Sequence, residues 1–142
     1  MKQLYLSILI ERLRSIGQLI MVNTDGAEFL VDKKNKQTYL DICSEYEKEF
    51  GYFIEFAEYK KIVARDINNY LAELTNGSIK LKGFFEFDGF IDPKDEERNI
   101  FRIPVYKNKS MNIVSKACYN YFVYGIPILK SIKECQDIFE FC

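Results

Sequence analysis

Apolar positions crowd the start of the chain: Leu4, Leu6, Ile8, Leu9, Ile10, Leu13 and Ile16 predict a helix buried on most sides, with Gly17 as its stop. Gln18–Val22 follows as a short apolar strand. Beyond Asn23-Thr24-Asp25-Gly26, Ala27, Phe29 and Val31 alternate with Glu28 and Leu30, which is the two-residue period of a second strand. Thr38 and Asp41 have the spacing of a capping box. Tyr39, Cys43, Tyr46 and Phe50 then recur at steps of four, three and four, an amphipathic helix closed by Gly51.

The period changes after Tyr52. Phe53 to Tyr59 is rich in β-formers, and Ile67–Leu74 and Ile79–Phe87 flank Thr75-Asn76-Gly77-Ser78. Asn-Gly between two such runs predicts a hairpin, because the left-handed conformation it accepts matches the twist of paired strands. Asp88–Lys109 holds most of the charge run with two of the three prolines and reads as a loop or loosely ordered insertion. Ile100–Tyr106 reads as a strand within it, with Pro104 arguing for an edge. Ser110 is placed to cap a helix whose Ile113, Val114, Ala117, Cys118 and Tyr121 share one side and which ends at Gly125. Pro127 starts a further short helix through about Cys135, and a last one starts at Asp137. The order of helix, hairpin, helix, three strands and helices predicts an α+β fold with a mainly antiparallel sheet.

Composition narrows the function classes. At 142 residues, 48% hydrophobic and 15% aromatic, the chain is one domain's worth of length and able to bury a core. Its 20 basic and 21 acidic residues leave a net charge of -1, so bulk charge points to no partner. Basic surface must come from clusters: Lys33-Lys34-Asn35-Lys36, Lys60-Lys61 with Arg65, or Lys80 and Lys82. Four separated cysteines without a CxxC pair, and no histidine, exclude a Cys/His zinc site and a histidine triad. They read as reduced, packed thiols of a cytoplasmic protein. The apolar run Leu4–Ile10 is too short for a membrane span and lacks a signal-peptide cleavage site, so no membrane is expected.

The tip residue Asp25 has two readings. Asn, Asp and Gly are ordinary turn residues, and turn chemistry alone accounts for NTDG. Alternatively, Asp25 is a carboxylate held out for use, with Asn23, Thr24 and Gly26 as its supporting turn. A buried helix, a short strand, a turn carrying Thr-Asp and a return strand resemble the palm of family-B DNA polymerases of the phage and mobile-element type. In family B the hairpin tip carries DTDS, whose second Asp binds two divalent ions, and an NTDG tip resembles one phage and mobile-element branch. Here the tip reads NTDG, with Asp25 at the ligand position, Asn23 in place of the first Asp and Gly26 in place of Ser. The family's downstream strand pair, KxY then Lys-Gly, is similar to Asn68-Asn69-Tyr70-Leu71-Ala72 and Lys80-Leu81-Lys82-Gly83, with Asn68 at the lysine position. Ser110, Ile113-Val114 and Gly125-Ile126-Pro127 resemble the helical start of the thumb.

The resemblance implies a palm-like region over residues 1–87, a charged insertion over 88–109 and the start of a thumb over 110–142. It implies Asp25 as a catalytic magnesium ligand in a two-ion site. It also implies that Tyr70 and Lys82, with Lys60, Lys61, Lys80 and Arg65, contact primer-template DNA, and that the substrate is a dNTP. Ions clamped by carboxylates on a rigid hairpin offset the charge that builds on oxygen during nucleotidyl transfer. The family's other palm Asp and its fingers lysine belong to motifs that are absent here. One carboxylate cannot hold two ions, so this chain alone is not expected to polymerise. It reads as the C-terminal piece of a longer or split polymerase, or a truncated reading frame, in the cytoplasm of a bacterial host. The abrupt end at Cys142 favours a piece. The remaining part of the polymerase would be its partner.

Other readings stay open. Isolated lysines on strands are commonly a solvated face, and Glu28, Glu55 and Glu58 are the nearest acidic company of Asp25 in sequence. The competing class is a small α+β nucleic-acid-binding or interaction module without catalysis, in which NTDG is only a turn. A small independent nuclease would need a second acidic cluster.

Overall fold

A computed structural model describes residues 2–94, 100–103 and 111–142. In it the chain is α+β, with antiparallel sheets and a helical C-terminal segment, and it divides into two units, Met1–Phe56 and Ala57–Cys142. No helix among the described residues is long and apolar enough to cross a membrane.

In the first unit, helix α1 (Lys2–Leu13) precedes strands β1 (Gly17–Val22) and β2 (Ala27–Val31), followed by α2 (Lys36–Phe50). The strands pair antiparallel, Gly17 opposite Val31 and Val22 opposite Ala27, with a bulge between Leu19 and Met21. The first helix was expected to run to Ile16 with Gly17 as its stop, but it ends at Leu13 and Gly17 opens β1. Arg14–Ile16 form a turn in which Ile16 N–H donates to Leu13 O at 3.1 Å, and glycine at 17 serves close approach, since a Cβ there would lie 2.9 Å from Val31 Cγ2 and 3.2 Å from the Leu30 carbonyl. The Thr38–Asp41 capping box does not form. A 3-10 turn at Lys33–Asn35 leads straight into α2, which puts Thr38 inside the helix, and Asp41 accepts a hydrogen bond from Gln37 instead (2.9 Å). Buried Leu13, Cys43 and Tyr46 make the core, alongside a ring cluster of Tyr5, Tyr46, Phe50 and Tyr52. Arg12 lies over Tyr46 and Phe50 and pairs with Glu49 at 2.8 Å. Burial pushes the Cys43 thiol up to about 11 and the Tyr39 phenol up to about 12, so Cys43 is an inert packing group.

The second unit carries β3 (Tyr59–Asp66), β4 (Asn69–Leu74) and β5 (Ile79–Lys82) in one antiparallel sheet, order β3-β4-β5. The β-formers of Phe53 to Glu58 form no strand; the strand starts at Tyr59, where Leu74 is available to pair. β-propensity reflects packing against neighbours, and without a partner strand it yields nothing. The Asn-Gly hairpin forms: Leu74 N–H donates to Ser78 O, Gly77 N–H to Leu74 O, and Ser78 N–H to the Asn76 side chain. β5 stops at Lys82, short of the expected Phe87, and passes into a 3-10 turn at Gly83–Phe85.

Helices α3 (Asn112–Tyr124) and α4 (Ile128–Glu134) follow, then a 3-10 turn at Ile138–Phe141. Leu71, Ile79, Phe85, Phe87, Phe90 and Tyr119 form the core, each such side chain contributing about 1.5–3 kcal/mol of burial. Phe87, Phe90 and Tyr119 meet edge to face. Asn112 and Lys116 of α3 both donate to Glu140, at 2.7 and 3.1 Å, which ties down the last turn. The helix cap expected at Ser110, and the strand expected beyond Ile103 with Pro104, lie outside the described residues. Ile100 makes a single antiparallel bridge to Phe90.

One core feature is polar. Asp92, only 2% exposed, accepts hydrogen bonds from Ser78 Oγ at 2.8 Å, Ile79 N–H at 3.2 Å and Lys94 N–H at 2.9 Å. It fastens the loop after the sheet to the start of β5. Asp92→Ala removes the acceptor that these donors share and is expected to cost about 2 kcal/mol. Urea denaturation checks it: the midpoint should fall while the slope holds, and an unchanged midpoint would show that the loop is not fastened there.

Candidate nucleic-acid interface and hairpin carboxylate

The hairpin tip in the first unit is closed by Asn23. Its N–H donates to Gly26 O at 2.9 Å, and its side-chain oxygen accepts from Asp25 N–H at 3.0 Å. This Asx arrangement satisfies the turn through Asn23 and leaves the Asp25 carboxylate outside it. That carboxylate is exposed, and it accepts a hydrogen bond from the Thr24 hydroxyl. Among the described residues, no three Asp, Glu, His or Cys side chains come together as a metal-holding group. Asp25 thus offers one hard oxygen ligand for a divalent cation, and the residues around it do not by themselves complete a two-ion site.

In the second unit the β4–β5 register brings a different set together. Tyr70 stands opposite Lys82 and Ala72 opposite Lys80, so the three long side chains share a face. The Lys80 and Lys82 ammonium groups lie 5.8 and 5.7 Å from the centre of the Tyr70 ring, and neither has a carboxylate partner among the described residues. Tyr70 is only 7% exposed beneath them. An aromatic face holds an ammonium without neutralising it, worth about 0.5–1 kcal/mol near the surface. The two charges remain available to an anion.

The other expected contacts are engaged elsewhere. Lys60 pairs with Glu73 at 2.8 Å, an exposed bridge of small worth. Lys61 donates to the Phe122 carbonyl at 2.5 Å, in the last turn of α3, where a helix presents unpaired carbonyls and a partial negative charge. Arg65 Nε lies 3.5 Å from Asp66 Oδ2, and its guanidinium covers the Phe84 ring at 5.5 Å.

Two residues next to the cluster carry geometry that sequence reading missed. The Asn69 amide donates to both Asp66 oxygens (2.7 and 2.9 Å), and its carbonyl accepts from Phe84 N–H at 2.7 Å. Gly83 sits at φ 60°, and a Cβ there would collide with the Asn68 carbonyl and the Asn69 side chain. The signal in the sequence was Asp66 and the Asn68-Asn69 pair followed, after the hairpin, by Lys82-Gly83. The Asn69 amide, then the Asn68 N–H, hold the Asp66 carboxyl below its ordinary value. This favourable contribution is present above the unfolded-state pKa and is lost as pH falls through the lowered one.

Compared with protein-family models, curated proteins and solved structures, the chain matches none.

Proposed function

We propose that this chain is the palm-to-thumb portion of a phage-type family-B DNA polymerase. The observation that carries the reading is the Tyr70 ring beneath two ammonium groups, Lys80 and Lys82, that have no carboxylate partner among the described residues. These are residues of the stretches that resemble the family's primer-binding strands. Paired cations over an aromatic ring suit a phosphodiester backbone, read as charge and independent of sequence. A second support is Asp25, exposed at a turn that Asn23 closes. In this reading Asp25 is one carboxylate of a magnesium site, and the other ligands and the groups that hold the dNTP belong to the rest of the polymerase. The protein acts in the cytoplasm of a bacterial host, and this portion alone does not catalyse.

A second reading, a nucleic-acid-binding module without catalysis, is favoured by the single carboxylate at the tip. It shares the cluster and differs only in the role of Asp25.

Fluorescence anisotropy with labelled primer-template DNA tests the shared part. Neutralising both lysines (Lys80→Ala with Lys82→Ala) should lower the slope of log affinity against log salt by about 1.8, at ~0.9 for each lost duplex phosphate contact. An unchanged slope would refute DNA binding at this cluster.

A further inference from the structure

We infer that Asn69 is the positioning residue of this cluster, fixing Lys82 over Tyr70 through a relay from Asp66 to the Phe84 amide. The inference rests on the DNA-binding reading above.

Tyr70 and Lys82 are the last paired residues of the β4–β5 ladder, so nothing in the ladder itself holds the chain beyond them. At such an end the strand frays unless a side chain continues the pairing. Asn69, the residue before Tyr70, does so by accepting from Phe84 N–H, two residues past Lys82. Its amide is in turn fixed by two bonds to Asp66, at the end of β3. The left-handed Gly83 lets the chain fold back against Asn69. On the far side, buried Ser115 donates its hydroxyl to the Phe84 carbonyl at 2.5 Å, so both polar atoms of that residue's backbone are anchored. Lys82 therefore leaves a clamped segment. Its ammonium meets the ring without the loss of freedom that a long side chain on a frayed end would suffer on binding.

The experiment measures primer-template affinity of the full chain by anisotropy for Asn69→Ala, Lys82→Ala, the double variant and Asp66→Ala. Asn69→Ala should weaken binding toward the level of Lys82→Ala, about tenfold, with a salt slope smaller by about 0.9. The double variant should be no weaker than Lys82→Ala alone, because both changes remove one interaction. Asp66→Ala separates positioning from charge. Removing a carboxylate and releasing Arg65 should strengthen DNA binding by electrostatics alone, whereas loss of the relay weakens it. It also reports if Asn69→Ala fails to fold.

Strengthened binding in Asp66→Ala, or additive losses in the double variant, would overturn the role of Asn69 while leaving the cluster intact. Unaltered binding in Lys82→Ala would overturn the cluster itself, and the relay with it.

Discussion

Replacing Asp25 with alanine is expected, under the polymerase reading proposed above, to lower nucleotide addition at least about a thousandfold, or ~4 kcal/mol of barrier, in a complex that supplies the other polymerase motifs. The size follows from the chemistry. Nucleotidyl transfer spreads negative charge over several oxygens, and the catalytic work is done by cations held opposite that charge. Asp25 would supply one carboxylate ligand to such ions, and alanine would remove it. The fold should not suffer, because Asn23 closes the turn and, among the described residues, the Asp25 carboxylate accepts a hydrogen bond from the Thr24 hydroxyl alone. Primer-template affinity should change less than about twofold, since on this reading Asp25 would act through the ions rather than on the backbone phosphates. Steady-state incorporation and anisotropy on the same preparation separate the two effects. Undiminished synthesis by Asp25→Ala would end the ligand role and leave NTDG as a turn.

The largest effect on stability is expected at Gly83. Gly83→Ala should cost about 3 kcal/mol, a large part of the ~5–15 kcal/mol that holds a typical domain. Two terms add. A non-glycine residue at φ 60° costs ~1–2 kcal/mol. The new methyl would also meet the Asn68 carbonyl, a backbone atom that yields only by moving the turn between β3 and β4. Gly51→Ala is the internal control: its φ of 67° is similar, but nothing lies within 4 Å of the added carbon. Denaturant unfolding of both should show the Gly83 variant destabilised by at least about 1 kcal/mol more. Equal losses would mean that the collision is relieved at no cost and that Asn69 is not clamped.

Local chemistry made much of the fold legible. β2, the Asn-Gly hairpin and the C-terminal ends of α2 at Gly51 and α3 at Gly125 followed from periods of two and 3.6 residues and from turn residues, which act within a few positions. Where the outcome depended on distant partners, the sequence was silent. Gly17 reads as a helix stop in sequence, whereas in the fold it faces Val31, and the Phe53–Glu58 stretch reads as a strand, whereas among the described residues no strand pairs along it. The candidate site divides the same way. Tyr70 and Lys82 meet because one hairpin sets their register. Lys61 binds a carbonyl 61 residues further on, and Asp92 reaches back 13 and 14 residues to Ile79 and Ser78. No spacing rule could have announced either.

The aromatic core of the second unit also bears on how the chain emerges from the ribosome. Tyr119 of α3 completes the packing of Phe87 and Phe90, in the same core as Leu71 and Ile79 of the sheet. All three strands are synthesised well before that helix. During the interval the nascent sheet presents Leu71 and Ile79 with no helix to cover them, the kind of exposed strand surface that invites intermolecular association. The strands are therefore protected only once α3 has joined them, and the interval before that is when a holdase would matter most.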